Sequence, residues 1–167
     1  MLPTGPVPAN WSWAGGPVDP GPCVLVDVDG VISDGSHRQH FLRGGHKDYK
    51  NFFANAYADT PIEGSIALLD QFDAGLTVVL LTARPDDLRT TTIDWVAGHR
   101  YRWELLVMRG RADARYSSPE FKRRAVRELR AYGFEPRLAL DDDHRNVDMF
   151  RSEGIETLYV HSGYYEH

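Results

Sequence analysis

The chain has 167 residues, of which 42% are hydrophobic and 26% charged, and its formal net charge is -5 at pH 7. These values are ordinary for one globular domain, and the acidic balance argues against a protein that coats DNA non-specifically. The single cysteine, Cys23, excludes a secreted disulfide framework. Neither a signal-peptide pattern nor an apolar run of about 18 residues is seen, so we expect a cytoplasmic location and no membrane partner.

Residues 1–22 are rich in proline and glycine and show neither a helical nor a strand period. We interpret them as an extended N-terminal arm that Trp11 and Trp13 anchor. No internal repeat or low-complexity tract follows the arm. Residues 23–167 are therefore predicted to form one folded domain.

Five short apolar runs follow the arm, and each is rich in leucine or β-branched residues. They cover residues 23–28, 76–82, 105–108, 138–140 and 155–160. Their length and composition are typical of strands that are buried on both faces of a sheet.

Helical segments lie between the apolar runs. Residues 60–63 resemble a capping box with proline at the first helical position, and Gly75 ends the predicted helix. Ser118 and Pro119 begin another helix that Gly133 ends, and a further helix covers about residues 144–153. Strands that alternate with helices predict an α/β fold with a doubly wound parallel sheet, whose ligands bind beyond the carboxyl ends of the strands.

Residues 32–59 interrupt this alternation. They contain three glycines, several charges and an aromatic patch formed by Tyr49, Phe52, Phe53 and Tyr57. We interpret this segment as a flap, or minimal cap, over the site. Such a flap is much shorter than a full cap domain, which favours a substrate as large as the end of a polymer.

Two acids, Asp27 and Asp29, follow the first predicted strand directly, and Gly30 permits a turn there. An ionised aspartate can attack phosphorus and form an aspartyl-phosphate. A second carboxyl group can protonate the leaving oxygen and then activate water. The alternative is a strand-ending turn that is merely rich in aspartate and glycine.

Two further side chains suit phosphate chemistry. Thr82 ends the second predicted strand, where a hydroxyl group can hold phosphoryl oxygens; the alternative is a helix cap. Lys122 lies in the first turns of the helix that begins at Ser118, where a cation can neutralise the nucleophile and the phosphoryl group. The alternative for Lys122 is a solvated helix residue.

Asp141, Asp142 and Asp143 end the fourth predicted strand. Carboxylate oxygens suit Mg²⁺, and a cation would relieve the repulsion between three clustered acids. The alternative is an acidic helix start that the helix dipole favours. Three acids are more than a cap requires, so we predict a Mg²⁺ site.

These motifs, in this order on alternating elements, resemble the phosphohydrolases of the haloacid dehalogenase (HAD) superfamily. They are Asp27-x-Asp29, Thr82, Lys122 and Asp141-Asp142. The resemblance covers the chain from about residue 23 onwards. It departs from the common pattern at Val31, where many members have threonine.

A closer resemblance is to the phosphatase domain of polynucleotide kinase-phosphatases, including the phage and bacterial forms. The motifs that carry it are His37-Arg38, Asp48-Tyr49 with Phe52-Phe53, Thr82-Ala83-Arg84, Leu138-Ala139-Leu140-Asp141-Asp142, Val147-Asp148-Met149 and residues 160–165. This resemblance implies hydrolysis of a terminal 3′-phosphate on DNA or RNA.

The resemblance also implies a role for each residue. Asp27 would be the nucleophile and Asp29 the general acid and base, while the phosphoryl group would be bound by Thr82 and Lys122. The residues that would hold Mg²⁺ are Asp27, Asp29 through its carbonyl, Asp141 and Asp142. Arg38 and Arg84 match arginines with which the family engages substrate. Asp113 falls near a family acid, although the loop length differs there.

Much of the positive charge lies between residues 84 and 130. The arginines of this stretch include Arg100, Arg102, Arg109, Arg111, Arg115, Arg123, Arg124, Arg127 and Arg130. They would form a track for a phosphate backbone, with Tyr101 and Trp103 as stacking platforms. The alternative is a set of solvated helix faces with core aromatic residues. The arginines after the third predicted strand lie on the side of the site, so we count Arg115 among the substrate-binding residues.

Three functions remain open. The first is a Mg²⁺-dependent 3′-phosphatase of nucleic-acid ends, and the second is the same chemistry on a nucleotide or another small molecule. The third is a non-catalytic HAD-like binding module, although none of the chemical groups is missing. Transfer of the phosphoryl group to an acceptor other than water uses the same intermediate. No G-x-x-x-x-G-K-[ST] phosphate loop occurs, so a cooperating kinase or ligase would be a separate chain.

Overall fold

The apolar runs and the helices between them form a layered structure, which the computed structural model describes for residues 5–166. Its strands are β1 Trp11–Trp13, β2 Pro22–Val26, β3 Ser33–Asp34, β4 Thr60–Pro61, β5 Thr77–Pro85, β6 Leu105–Arg109, β7 Glu135–Asp141 and β8 Glu156–Tyr159. Its α-helices are α1 Tyr49–Ala54, α2 Glu63–Asp70, α3 Arg89–Gly98, α4 Ser118–Ala131 and α5 His144–Ser152. No helix in this described part is both long enough and apolar enough to cross a bilayer.

Six strands form the central sheet, in the order β1-β6-β5-β2-β7-β8. The five strands from β6 to β8 are parallel, and β1 is antiparallel to β6. The predicted α/β fold with a doubly wound parallel sheet is therefore confirmed. From β2 the chain moves to β5 and β6 on one side, then crosses to β7 and β8 on the other. Connections that diverge on either side of β2 leave a crevice at the carboxyl ends of the strands.

The two faces of the sheet are buried in two separate cores. Because successive strand residues point to opposite faces, Cys23 and Leu25 pack with α4 and α5, whereas Val24 and Val26 pack with α2 and α3. Trp95 of α3 is buried in the second core. The central strands are thus fixed from both sides, and so are the residues that follow their carboxyl ends.

The N-terminal arm contributes a strand that the sequence does not predict. Trp11 pairs with Val107 at the start of β1, and its ring lies 4.9 Å from that of Tyr132 and 6.1 Å from that of Phe134. The tryptophans do contact the domain as expected. Residues 1–4 of the predicted arm lie outside the described residues, and the domain boundary at residue 22 stays a prediction.

Two predicted element boundaries are wrong. Thr60 does not cap a helix: it pairs with Asp34 in the small β3–β4 sheet, and α2 begins only at Glu63 and ends well before Gly75. The chain stays extended there because the Ile62 amide donates to the Ile32 carbonyl. In addition, β5 continues past Thr82 to Pro85, with a shift in its pairing to β6.

The flap contains the 3₁₀ segment Ser36–Leu42, helix α1 and the 3₁₀ segment Ala56–Ala58. Its two ends meet in the β3–β4 pair, where Ser33 lies opposite Pro61. The segment predicted as a flap is therefore a loop of short helical segments whose base is closed by the β3–β4 pair.

Candidate active site

Three elements of the sheet bring the predicted residues to one edge. Asp27 directly follows β2, Thr82 lies within β5, and Asp141 is the last residue of β7. The amide of Asp27 donates to the Leu140 carbonyl at 3.0 Å, so the end of β2 is fixed against β7. Parallel strands have their carboxyl ends at the same edge, which explains why residues distant in sequence meet here.

Lys122 links two of these acids. Its ammonium Nζ lies 3.0 Å from Asp27 Oδ1 and 2.6 Å from Asp141 Oδ2, and its side chain is 1% exposed. Burial alone would lower the pKa of Lys122, but the carboxylates of Asp141 and Asp27 outweigh it and the pKa is raised. Lys122 is therefore a permanently charged, buried cation rather than a solvated helix residue.

Both carboxylate oxygens of Asp141 accept hydrogen bonds from neighbouring residues. Besides Lys122, its carboxylate accepts hydrogen bonds at 3.0 Å from the Asn146 side chain and from the Asp143 amide. Asn146 is buried, and the sequence analysis missed it. Its signal was an asparagine in the first turn of α5, directly after the acids. Asp143 caps α5 and pairs with Arg145, so the capping alternative is correct for this third acid.

Asp142 differs from its neighbours because both of its carboxylate oxygens are buried without a hydrogen-bond partner in the described part of the chain. Oxygens of Asp27, Asp141 and Asp142 all lie within 4.8 Å of one another. Burial raises the pKa of Asp142 to about 7. Burial also raises the pKa of Asp27 well above its usual value, although the Lys122 ammonium opposes this shift.

The charges of this cluster do not balance. Three carboxylates face the single ammonium of Lys122, so two negative charges remain when all three acids are ionised. Uncompensated buried charge is costly, and unpartnered carboxylate oxygens are the ligands that hard divalent cations prefer. The residues present therefore fit a divalent cation.

Gly30 is required where the chain passes the cluster. Its φ is +79°, and a Cβ at this position would lie 2.7 Å from Asp142 Cγ and 3.0 Å from Ser162 Cβ. Glycine thus provides both the left-handed turn after Asp29 and the space that the Asp142 carboxylate fills.

A second cluster surrounds Asp29, and its charges do balance. Arg84 binds the Asp29 carboxylate with Nε–Oδ2 and Nη2–Oδ1 distances of 3.0 and 2.8 Å, and Arg38 binds the same carboxylate. Both arginines also bind Asp59, with an Arg38 Nε–Asp59 Oδ1 distance of 2.7 Å. Burial would raise the pKa of Asp29, but Arg84 and Arg38 lower it below its usual value. Asp29 is therefore held in the ionised form.

Asp59 is a site residue that the sequence analysis missed. Its carboxylate is completely buried and also accepts a hydrogen bond from Ser33, while its carbonyl accepts one from the Trp95 indole at 2.9 Å. No motif marks it, because its arginine partners are 21 and 25 residues away in sequence.

The predicted substrate-binding residues differ in how deeply they are buried and in which groups they contact. Arg38 and Arg84 are almost fully buried, so their guanidinium groups contact Asp29 rather than an exposed surface. Asp113 pairs with Arg124 at 3.1 Å, and Arg115 is exposed, with its guanidinium 2.8 Å from the Tyr116 hydroxyl. Within residues 5–166, neither Asp113 nor Arg115 forms an ion pair or hydrogen bond with the acids around Asp27.

The other arginines of the predicted track are divided between two surfaces. Arg123, Arg127 and Arg130 all surround Glu153, at 3.6, 3.3 and 3.3 Å, which favours the alternative of a solvated helix face. Tyr101 is buried and donates to a backbone carbonyl, so it is a core residue and not a stacking platform. The arginines that follow β6 lie at the same edge of the sheet as Asp27.

Comparison with known proteins gives a family match over most of the chain. The model of the polynucleotide kinase PNKP phosphatase domain matches residues 21–165. No curated protein matches in a direct comparison.

Solved structures share the fold. A chain from a Pnkp1/Rnl/Hen1 complex superimposes with a TM-score of 0.68 at 26% identity, covering 85% of this chain and 46% of that one. A chain from the Pnkp1/Rnl/Hen1 RNA repair complex gives 0.66 at 23% identity, covering 96% and 49%. A class C acid phosphatase from Bacillus anthracis with tungstate bound gives 0.58 at 17% identity, covering 91% and 70%. The chain thus spans about half the length of the first two proteins.

Replacing Gly30 by alanine should damage the site more than the same change at Gly44, which has a similar φ of +86° but open space around it. A left-handed alanine costs about 1–2 kcal/mol in both variants. Only Gly30→Ala displaces Asp142, so only this variant should also lose about tenfold or more of the phosphatase activity. Urea unfolding and turnover of a simple phosphate ester would measure the two effects. Equal activity of the two variants would contradict the proposed contact.

Asp142→Asn should stabilise the metal-free protein at pH 8, because it removes one of two unbalanced negative charges. Each 1 kcal/mol gained should raise the melting temperature by about 2–4 °C. The same variant should lose the stabilisation that Mg²⁺ gives the parent protein, as measured by thermal unfolding with and without the ion.

Asp143→Asn is the matched control, since Asp143 caps α5 and is paired with Arg145. Asparagine keeps the cap and loses only the ion pair with the exposed Arg145, so the melting temperature should fall by an amount equivalent to about 1 kcal/mol or less, and the Mg²⁺ effect should stay intact. An Asp142→Asn variant that is less stable without metal and still responds to Mg²⁺ would show that Asp142 is not a ligand.

Proposed function

The chain belongs to the polynucleotide kinase PNKP phosphatase domain family and is a phosphatase of the HAD type, and we propose that it removes the 3′-phosphate from nucleic-acid ends with Mg²⁺ and an aspartyl-phosphate intermediate. The observation that carries this proposal is the acid cluster of Asp27, Asp141 and Asp142, which is paired with a single buried cation, Lys122, within residues 5–166. Transfer of a phosphoryl group to an aspartate requires these charges, namely clustered carboxylates with a cation beside them.

Asp27 is the nucleophile in this proposal. Its Oδ1 accepts hydrogen bonds from the Val28 amide at 2.8 Å and is paired with Lys122 at 3.0 Å, so the orientation of the carboxylate is fixed before substrate arrives. Attack on phosphorus forms the acyl phosphate and breaks the bond to the 3′ oxygen of the substrate. Lys122 also offsets the negative charge that accumulates between nucleophile and phosphoryl group.

Asp29 transfers protons. Arg84 and Arg38 keep it ionised in the resting protein. The proton that it passes to the leaving oxygen therefore has to be bound together with the substrate. The monoanion of a phosphate monoester, which predominates below about pH 6, carries such a proton. In the second step Asp29 accepts a proton from the water that hydrolyses the acyl phosphate. The two arginines act as positioning residues, because their guanidinium groups are buried against Asp29 and Asp59.

Mg²⁺ would be held by Asp27, Asp141, Asp142 and the carbonyl of Asp29, and when bound it would offset the two remaining negative charges and those of the phosphoryl oxygens. Thr82 is buried beside this cluster, where its hydroxyl accepts a hydrogen bond from the Arg84 amide at 3.2 Å. We assign to Thr82 the role of binding a phosphoryl oxygen.

A nucleic-acid substrate is supported by the family and by the two Pnkp1 structures, one of which comes from an RNA repair complex. The sequenced chain has no phosphate loop of a kinase. We propose that it works together with a kinase or ligase, in the cytoplasm. A nucleotide or another small phosphate ester is the alternative substrate of the same site.

The test is phosphate release from 3′-phosphorylated RNA and DNA oligonucleotides, from nucleoside 3′- and 5′-monophosphates and from glycerol 2-phosphate, with Mg²⁺ or with a chelator. We expect the oligonucleotides to give the highest kcat/KM, and the chelator to abolish turnover. Asp27→Asn should lower kcat by about a thousandfold or more, whereas Asp70→Asn, an exposed acid at the end of α2, should change nothing.

The alternatives give different results. Preference for mononucleotides would assign the protein to nucleotide metabolism, and turnover of glycerol 2-phosphate alone would point to another small substrate. Activity retained by Asp27→Asn would refute the aspartyl-phosphate mechanism. Comparison of the RNA and DNA oligonucleotides decides between the two polymers.

A further inference from the structure

The segment that follows β8, residues 160–166, contacts both the sheet and the flap. The Val160 amide donates to the Asp141 carbonyl at 3.0 Å, which fixes the start of this segment to the end of β7. The chain then passes Gly30, where a Cβ would lie 3.0 Å from Ser162 Cβ. The Tyr164 amide donates to the Ser162 hydroxyl at 3.2 Å. Tyr164 is therefore held at the edge of the sheet that carries the acids.

The Tyr164 hydroxyl group binds the base of the flap. It accepts a hydrogen bond from the Gly35 amide at 2.7 Å and donates one to Asp34 Oδ1 at 3.1 Å. The same Asp34 oxygen accepts a hydrogen bond from the Ser36 amide at 2.9 Å. One hydroxyl group thus holds the turn between β3 and the 3₁₀ segment that contains Arg38. Tyr164 and Gly35 are 129 residues apart, so no local sequence pattern marks this contact.

Gly35 lies directly against the guanidinium group of Arg38. A Cβ at Gly35 would be 2.9 Å from both Nε and Nη2 of Arg38, although the φ of −96° is open to any residue. The Arg38 amide also donates to the Gly35 carbonyl at 3.1 Å, and the Phe52 ring packs on the same guanidinium with its centroid 4.1 Å from Cζ. The place of this guanidinium therefore depends on the place of the Gly35 peptide, which Tyr164 fixes.

The series of contacts ends at Asp29. Arg38 Nη2 binds the Asp29 carboxylate and lies 2.6 Å from Asp59 Oδ2. Arg84 binds the same two carboxylates, but it belongs to β5 and is held by the central sheet. Arg38 belongs to the flap, which the Tyr164 hydroxyl ties to the rest of the domain. Of the two arginines that position Asp29, Arg38 is thus the one that depends on Tyr164.

We propose that Tyr164 is a positioning residue for the proton transfer assigned to Asp29, because its hydroxyl group fixes the turn that holds the Arg38 guanidinium against the Asp29 carboxylate. This inference rests on the proposed function, in which Asp29 protonates the leaving oxygen. Misplacement of a reacting group by about 1 Å can cost about a hundredfold in rate, so a small shift of Arg38 has a measurable effect.

The leaving group of the substrate tests this role. The alkoxide of a nucleoside or of glycerol needs a proton as it leaves, whereas 4-nitrophenolate is a stable anion that leaves without one. The constant kcat/KM reports the steps up to formation of the acyl phosphate. Tyr164→Phe should lower kcat/KM about tenfold for a 3′-phosphorylated oligonucleotide and for glycerol 2-phosphate, and by less than about twofold for 4-nitrophenyl phosphate.

Two further variants calibrate this measurement. Asp29→Asn is the reference: it should show the same selectivity, with a loss of about a hundredfold or more for the two alkyl esters. Tyr159→Phe is the matched control, because the Tyr159 hydroxyl at the end of β8 lies 3.2 Å from His161 Nδ1 and not at the flap. This control should leave kcat/KM unchanged for all three esters.

Gly35→Ala tests whether Tyr164 acts through Arg38. The added methyl group would occupy the space beside Nε and Nη2 of Arg38, so this variant displaces the same guanidinium by another route. It should reproduce the selectivity for alkyl esters. Adding Tyr164→Phe to it should cause no further loss, because both changes act on one group. If the two losses multiply instead, Tyr164 acts elsewhere and the inference is wrong.

The outcomes separate this inference from the proposed function. If Asp29→Asn discriminates between the esters but Tyr164→Phe is unchanged, or lowers kcat/KM equally for all three, the positioning role is wrong and the function stands. If Asp29→Asn itself shows no selectivity, the proton transfer proposed for Asp29 is wrong, and the role of Tyr164 is overturned with it. If the parent protein does not hydrolyse the oligonucleotide, the proposed substrate is wrong, and glycerol 2-phosphate still decides the role of Tyr164.

Discussion

The constraint on which the rest of the structure depends is the clustering of five carboxylates, four of them buried, with only three buried cations. The acids are Asp27, Asp29, Asp59, Asp141 and Asp142, and the cations are Lys122, Arg38 and Arg84. Removing charge from water is costly unless it is matched at close range. The sheet, the start of α4 and the flap each supply some of these charged residues. The arrangement therefore forms only when all three are in place.

The two clusters divide the charge unequally, and this division separates their tasks. Around Asp29 two acids face two arginines, so the carboxylate to which we assign proton transfer is held in place and ionised. Around Asp27 two negative charges are left over, and this surplus fits a divalent cation. Arg38 belongs to the flap and stacks on Phe52 at 4.1 Å, so the flap contributes directly to the electrostatics of the chemistry.

The sequence predicts the sheet and the residues at strand ends, because strand burial and the demands of phosphate chemistry both leave local patterns. Asp27, Lys122 and Asp142 meet as expected. Asp59 and Asn146 were missed, since their role is to pair with groups that only the folded chain brings near. The same limit explains the error at Thr60: a local capping pattern was outweighed by pairing with β3. Substrate contact by Asp113 stays a prediction that the geometry does not support, as its carboxylate is occupied by Arg124.

The paired base of the flap limits how this fold can be altered. In a protein whose cap is a separate module, another cap can be grafted onto the same core to change its substrate. Here the charge-matching residues Arg38 and Asp59 lie inside the loop that β3 and β4 close. A graft that replaces the whole loop between β3 and β4 would remove Arg38 and Asp59. Asp29 would then keep Arg84 as its one arginine partner. The exchangeable part is at most residues 39–58, and within it Phe52 has to stay because it stacks on Arg38, so new specificities must be built on fewer than twenty positions.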